Sequence, residues 1–224
     1  DYEWREEYLE HRLRYYAFLN SGLTLDYNGQ KYTSKNGLAD LLAYELGGEP
    51  ALYDAMHCKL DRLEFAFPHT NAYGETYYSF VNGQHTSDGG THQSAFREGI
   101  LKGVNEFAKN GFAGEDVRDG LVGAVAVKIQ DPVFESQTKN KLGSTEVRSW
   151  IVNEVKEQVV LWLHRNPDEA DKLLQKVKNN QRVRKELSAI KKEARERAKK
   201  VAIRIPKLID CKVHLSDSKG KRRE

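Results

Sequence analysis

Apolar residues along the chain follow two rhythms. Over residues 1–19, Trp4, Tyr8, Leu9, Leu13, Tyr16 and Leu19 recur at roughly helical spacing with charge between them, and Asn20-Ser21-Gly22 supplies a stop. A short helix is expected from about Lys35 to Leu46, ended by Gly47-Gly48-Glu49-Pro50. Phe96, Ile100, Val104 and Phe107 put one apolar face on a helix from about Thr91 to Asn110. Val147, Trp150, Ile151, Val155, Val159, Trp162 and Leu163 do the same from Thr145 to His164. Pro167, with Asn166 as its cap, opens a last helix reaching about Lys200. Its stripe of Leu173, Val177, Leu187, Ile190 and Ala194 is thin, so much of that helix faces water or something polar.

Strands read differently. Leu23 to Tyr27 and Gln30 to Thr33 flank Asn28-Gly29, a strong hairpin signal. Lys59 to Pro68 and Glu75 to Val81 are β-rich, and the turn Asn71-Ala72-Tyr73-Gly74 is expected to join them as a hairpin. Residues 120–130 are apolar almost throughout, which predicts a strand buried on one face and in mid-sheet, with Gly123 and Ala124 permitting close approach of a helix.

Composition narrows the classes. The chain has 224 residues, 39% of them hydrophobic, with 8 Phe, 11 Tyr and 3 Trp, which argues for a folded chain. A net charge of +3 identifies no partner by itself, but Lys and Arg crowd the last helix. Cys58 and Cys211 are far apart and lack ligand spacing, so neither a disulfide framework nor a zinc site is indicated. No apolar run reaches membrane-spanning length, and the opening residues do not form a signal peptide. The chain starts at Asp1 inside a helical pattern, as expected of a segment cut from a longer protein.

Several stretches carry candidate chemistry. Asp88-Gly89-Gly90-Thr91-His92 opens a helix and either holds an anion on backbone N–H groups or is a tight turn capped by Asp88 or Thr91, the second being favoured. It is neither a P-loop nor a dinucleotide fingerprint. His85 and His92 lack a third ligand at fixed spacing, so no metal is expected. Glu115, Asp116 and Asp119 surround Arg118, and an Arg–Asp contact holding a turn is expected there rather than acid–base chemistry. The basic positions Lys178, Arg182, Arg184, Lys185, Lys191 and Lys192 suit either a solvated helix or phosphates of a duplex. Ser136-Gln137-Thr138-Lys139-Asn140-Lys141-Leu142 follows the apolar run, and a lysine there is either surface decoration or a point charge aimed at a phosphate.

Taken together and in order, these stretches resemble one family. Phe18-Leu19-Asn20-Ser21-Gly22 is similar to the FLNSG run of bacterial type IIA topoisomerase B subunits, those of gyrase and topoisomerase IV. Phe80-Val81-Asn82 with Gly89-Gly90-Thr91-His92 resembles their FxNN…GGTH block, and Arg118-Asp119-Gly120-Leu121 with Ala124 to Lys128 their REGL block. Phe134-Glu135-Ser136-Gln137-Thr138-Lys139-Asn140-Lys141-Leu142-Gly143 resembles FEGQTKxKLG, and Pro206 to Cys211 the segment before the Toprim domain. Gly83 replaces a second Asn, Asp119 a Glu and Ser136 a Gly. Ile205-Pro206-Lys207 lacks the Gly usual in gyrase, which favours topoisomerase IV.

The resemblance implies an α+β fold: a mixed β-sheet with helices on one face, like a small-subunit ribosomal protein, with a left-handed crossover and long C-terminal helices. It divides the chain into the end of an ATPase domain (1–20), a transducer domain (21–144), a long helical arm (145–202) and a linker toward a Toprim domain (203–224). It implies that Lys139 and Gln137 contact the γ-phosphate of ATP bound with Mg2+ elsewhere in the subunit, coupling ATP binding and hydrolysis to DNA strand passage. It further implies double-stranded DNA and a topoisomerase A subunit as partners, a homodimer made through the ATPase domain, a cytoplasmic, nucleoid-associated setting, and no ATPase activity in this segment alone. The rival reading is a standalone nucleic-acid-binding module without nucleotide coupling.

Overall fold

The computed structural model describes residues 5–200. Trp4, Cys211 and the expected linker 203–224 lie outside the described residues. The elements in chain order are α1 (Glu6–Leu19), β1 (Thr24–Tyr27), β2 (Gln30–Thr33), α2 (Leu38–Leu46), β3 (Met56–Lys59), β4 (Leu63–Phe67), β5 (Thr76–Val81), β6 (Gln84–His85), α3 (Thr91–Ala108), α4 (Gly114–Arg118), β7 (Val122–Val127), α5 (Arg148–Arg165) and α6 (Pro167–Lys200). Contacts group the chain into two compact units, divided between Val183 and Arg184.

In the first unit, β1 and β2 form the expected hairpin, with Thr24 opposite Thr33 and Tyr27 opposite Gln30. The main sheet is mixed, in the order β3-β4-β7-β5-β6. β7 pairs antiparallel with β4 and parallel with β5. Its central place follows from its composition, since Val122 to Val127 carries no polar side chain on either face.

That placement overturns the expected hairpin between the runs at 59–68 and 75–81. β4 and β5 are separated by β7, and the connection runs across the start of β7. There Thr70 N–H donates to Gly120 O at 2.7 Å and Gly120 N–H donates to Gly74 O at 2.6 Å. The hairpin that does form is β3–β4, turned at Leu60–Leu63. A second one, β5–β6, is closed by Asn82-Gly83, and the Asn82 side chain clamps Ile129 through Nδ2 to its carbonyl (2.8 Å) and Oδ1 to its N–H (2.9 Å).

Alternation along the strands makes two cores. Phe65, Phe67, Val81, Val125 and Val127 meet Phe96, Ile100 and Val104 of α3, with Ile151, Val155 and Val159 of α5 and Leu173 and Val177 of α6 in the same cluster. Gly99 and Gly103 of α3 bring α5 close: a Cβ at either would lie 2.7 or 2.8 Å from Cβ of Val155 or Val159 respectively. This is the expected helical face. The opposite face is covered too, because Ala66 and Ala124 are small enough for Leu38, Leu41 and Leu42 of α2 to settle on them beside Tyr15, Phe18 and Phe80. Gly123, facing the other way, leaves room for the ring of Phe96.

α3 ends with Lys109 in a left-handed conformation, after which the Gly111 N–H donates to Asn110 Oδ1 at 2.7 Å. Asn166 does not cap α6 with its side-chain amide, which donates back to Trp162 O at 2.9 Å and so closes α5.

Candidate functional site

The chemistry of the loop between β7 and α5 depends on how its base is held. Val133 N–H donates to Ser144 Oγ (2.8 Å), Gly143 N–H to Val133 O (2.8 Å) and Glu135 N–H to Lys141 O (3.0 Å), so residues 133–143 form a narrow, doubled-back strap. At its tip Lys139 N–H donates to Ser136 O at 3.1 Å, and Ser136 and Thr138 share a hydroxyl contact of 2.7 Å. Lys139 itself has φ +57°, in the left-handed region. Gln137 and Lys139 are both exposed on this tip. Two residues on, Lys141 is paired with Glu135 at 2.9 Å. Lys139 has no ion-pair partner among the described residues, so its charge is available to an anion from outside.

The strap is docked on the Gly89-Gly90 loop. Leu142 is fully buried, and its N–H donates to Gly89 O (3.1 Å) while Thr91 N–H donates to Leu142 O (3.0 Å). Neither Asp88 nor Thr91 caps α3 as expected; Thr91 Oγ1 donates to Leu142 O instead, at 3.3 Å. The glycines admit the neighbouring backbone, and Gly90 O also accepts from Ser94 N–H at the start of the helix, at 3.0 Å.

Beneath this loop His92 is buried, with Nε2 3.1 Å from Thr86 Oγ1, and burial lowers its pKa to about 4. His85 lies apart, packed on Phe80 and Tyr15. Among the described residues no group of His, Cys, Asp and Glu could hold a metal ion. The acidic turn is held differently from the expectation. Arg118 pairs with Glu75 at 2.8 Å, Asp119 accepts from Gly74 N–H at 2.7 Å and Asp116 from Ala113 N–H at 3.2 Å. The Arg–Asp contact does not form because Glu75, at the start of β5, reaches Arg118 first and is shared with Arg97.

A cleft of about 530 Å³ lies beside the strap, lined by Arg12, Tyr16, Gln84, His85, Thr138 and Asn140 among others. The sequence offered no sign of it, because its walls come from α1, the β5–β6 turn and the strap. The basic residues named from the sequence all lie on α6. In the first unit, Lys178 and Arg182 are exposed, and Arg182 donates to Asn179 Oδ1 at 2.9 Å. In the second, Lys185, Lys191 and Lys192 are exposed and Arg184 is half-buried. No helix among the described residues is long and apolar enough to cross a membrane.

A family model for DNA gyrase B matches residues 31–195, from β2 to near the end of α6. The chain belongs to the DNA gyrase B family. It is 51% identical over 217 residues to the B subunit of DNA topoisomerase 4 from Borreliella burgdorferi, covering 97% of this chain and 36% of that protein. It is 33% identical to the B subunit of DNA gyrase from Thermotoga maritima, over 93% of this chain and 37% of that one. The chain thus spans little more than a third of these relatives. Its fold is similar to the 43K ATPase domain of Thermus thermophilus gyrase B, solved with an aminocoumarin, with a TM-score of 0.74 and 26% identity over 86% of this chain and 57% of that one. The resemblance read from the motifs, and the mixed α+β architecture with long C-terminal helices, are borne out.

Proposed function

We propose that this chain is the transducer segment of the B subunit of an ATP-dependent type IIA topoisomerase, and that Lys139 senses the γ-phosphate of ATP held elsewhere in the subunit. The observation that carries the reading is the state of Lys139: exposed, without an ion-pair partner among the described residues, and at the tip of a strap whose base is hydrogen-bonded throughout. A lysine ammonium presents three donors to phosphate oxygens, and its attraction strengthens when water is excluded. Gln137, on the same tip, adds a neutral donor. The identity to the B subunit of a topoisomerase 4 supports the same role.

In this reading ATP supplies the charge that draws Lys139 and Gln137 in, and hydrolysis removes it. The strap, docked on α3, then changes its attitude, and α3 carries α5 with it. Binding of ATP and domain orientation are thereby linked, each biasing the other. DNA strand passage, partnership with an A subunit and dimerisation belong to the whole subunit. Lys178, Arg182, Arg184, Lys185, Lys191 and Lys192 are the residues proposed to meet the transported duplex. Mg2+ is assigned no ligand on the described residues.

The test is Lys139→Ala in the full-length subunit. It is expected to leave the fold intact and to reduce ATP turnover and DNA strand passage by about 100-fold or more. Normal turnover would end the assignment, and salt-dependent duplex binding by the segment with Lys139 dispensable would favour a standalone nucleic-acid-binding module. The segment alone is expected not to hydrolyse ATP.

A further inference from the structure

The strap carrying Lys139 packs Phe134 and Leu142 into the main core, and its backbone bonds to the rest of the fold gather around Leu142. Leu142 N–H donates to Gly89 O, Leu142 O accepts from Thr91 N–H and Thr91 Oγ1, and Asp88 N–H donates to Asn140 O at 3.0 Å. Gly90 sits at the centre with φ +132° and ψ −162°, a conformation open to glycine and strained for other residues. A Cβ there would lie 2.5 Å from Leu142 N and 2.9 Å from its Cα, and nearer still to its carbonyl oxygen. The obstacle is the Leu142 backbone, so no rotamer change can relieve it.

The segment holding Gly90 is itself fastened from below. Thr86 N–H and Thr86 Oγ1 both donate to Ser79 O of β5, at 2.8 and 2.9 Å. Thr86 Oγ1 also shares a hydrogen bond of 3.1 Å with His92 Nε2, which fixes the first turn of α3 to the same point. From there Gly99 and Gly103 mesh α3 with Val155 and Val159 of α5.

We propose that Gly90 is the positioning residue for Lys139: by admitting the Leu142 backbone it makes the strap, residues 86–92 and α3 a single body, with no hinge between the lysine and the helix. A displacement of the lysine is then carried into α3 instead of being absorbed in a flexible loop. This rests on the reading of Lys139 given above.

The experiment is a double-mutant cycle in the full-length subunit with Gly90→Ala and Lys139→Ala, read by ATP turnover and by hydrogen exchange at the amides of Asp88 and Leu142, which donate to Asn140 O and Gly89 O. Gly90→Ala is expected to cut turnover by about 100-fold, the scale of an ångström-size misplacement, and to speed exchange at both amides. The double variant is expected to be no slower than Lys139→Ala alone, because both changes remove one interaction. Losses that multiply, or turnover within about twofold of wild type in Gly90→Ala, would overturn the proposal while leaving the reading of Lys139 standing. If Lys139→Ala itself is without effect, the functional reading fails, and the exchange rates alone decide whether Gly90 holds the strap. Should Gly90→Ala not fold, Thr91→Val removes only the hydroxyl bond to Leu142, and the same non-additivity is expected with a loss of about fivefold.

Discussion

Lys139 occupies a backbone conformation that favours glycine or asparagine, and it does so on an exposed tip where no packing demands a lysine. A β-carbon in the left-handed region costs about 1 kcal/mol. A side chain kept where the backbone opposes it points to a use for that side chain. Lys139→Asn is therefore expected to raise thermal stability slightly, by up to about 1 kcal/mol, while abolishing ATP-coupled activity in the full-length subunit. A denaturation curve and a turnover assay on the same preparation check both halves. The neighbours Gln137 and Thr138 suggested the proposed role of this lysine, but its φ was not legible, because nothing in Ser136 to Leu142 is a glycine. The same limit applies at Gly90. The glycines were visible and were read as a turn before a helix; that they accommodate the distant backbone of Leu142 could not be seen locally.

Among the elements, α3 joins the sheet, α5 and the strap. Its outer residues meet α5, its inner face meets the sheet, and its first turn holds the strap. Helical periodicity sufficed to find α3, α5 and α6, since each buries one stripe. It did not reveal the alternation that puts Ala66 and Ala124 under α2, because a strand covered on both faces reads as a plain apolar run. Gly103→Ala would place a methyl 2.8 Å from Val159 and 3.1 Å from Lys156 O. Overpacking of that kind costs about 1–3 kcal/mol, so urea denaturation should show a lowered midpoint, and an unchanged midpoint would mean that the α3–α5 contact yields more easily than described. Conservative exchange at Ala108, at the far end of α3, is expected to matter less because it is only partly buried.

At the scale of the molecule, two buried histidines tie stability to pH. His69 donates through Nε2 to Val117 O at 2.7 Å and accepts from the Tyr53 hydroxyl at Nδ1, joining β4, α4 and the loop before β3. Burial lowers its pKa to about 4, as it does for His92. In the unfolded chain both return to the ordinary value near 6.5, so between these values the unfolded state binds more protons. Stability is then fully present above pH 6.5, declines as pH falls toward 4, and is no longer altered by these groups below that. Each contributes a slope of about 1 kcal/mol per pH unit in that window. Equilibrium unfolding at several pH values should show the decline, and His92→Gln should remove about half of it. Of the overall topology, the element list and the central place of β7 were largely legible, and the order of the strands around it was not. Which strand takes the centre depends on competition among strands for two-sided burial, and β7, coming last in sequence, wins it.

The loop after α3 has one more consequence, for how the protein ages in a tube. Gly111 offers its backbone nitrogen to the side-chain amide of Asn110, in an exposed turn with open space around the glycine. Attack of that nitrogen on Cγ closes a succinimide and expels ammonia, and water then opens the ring to aspartate or isoaspartate. The other Asn-Gly pairs are guarded: Asn82 is clamped on Ile129, Asn36 is held by Asp40, and Gly29 gives its N–H to Asp26. Stored protein is expected to turn acidic at residue 110 before it does so at 28, 36 or 82, and peptide mass mapping of an incubated sample would reveal the order. Conversion at Asn82 as fast as at Asn110 would mean that the clamp on Ile129 gives no protection.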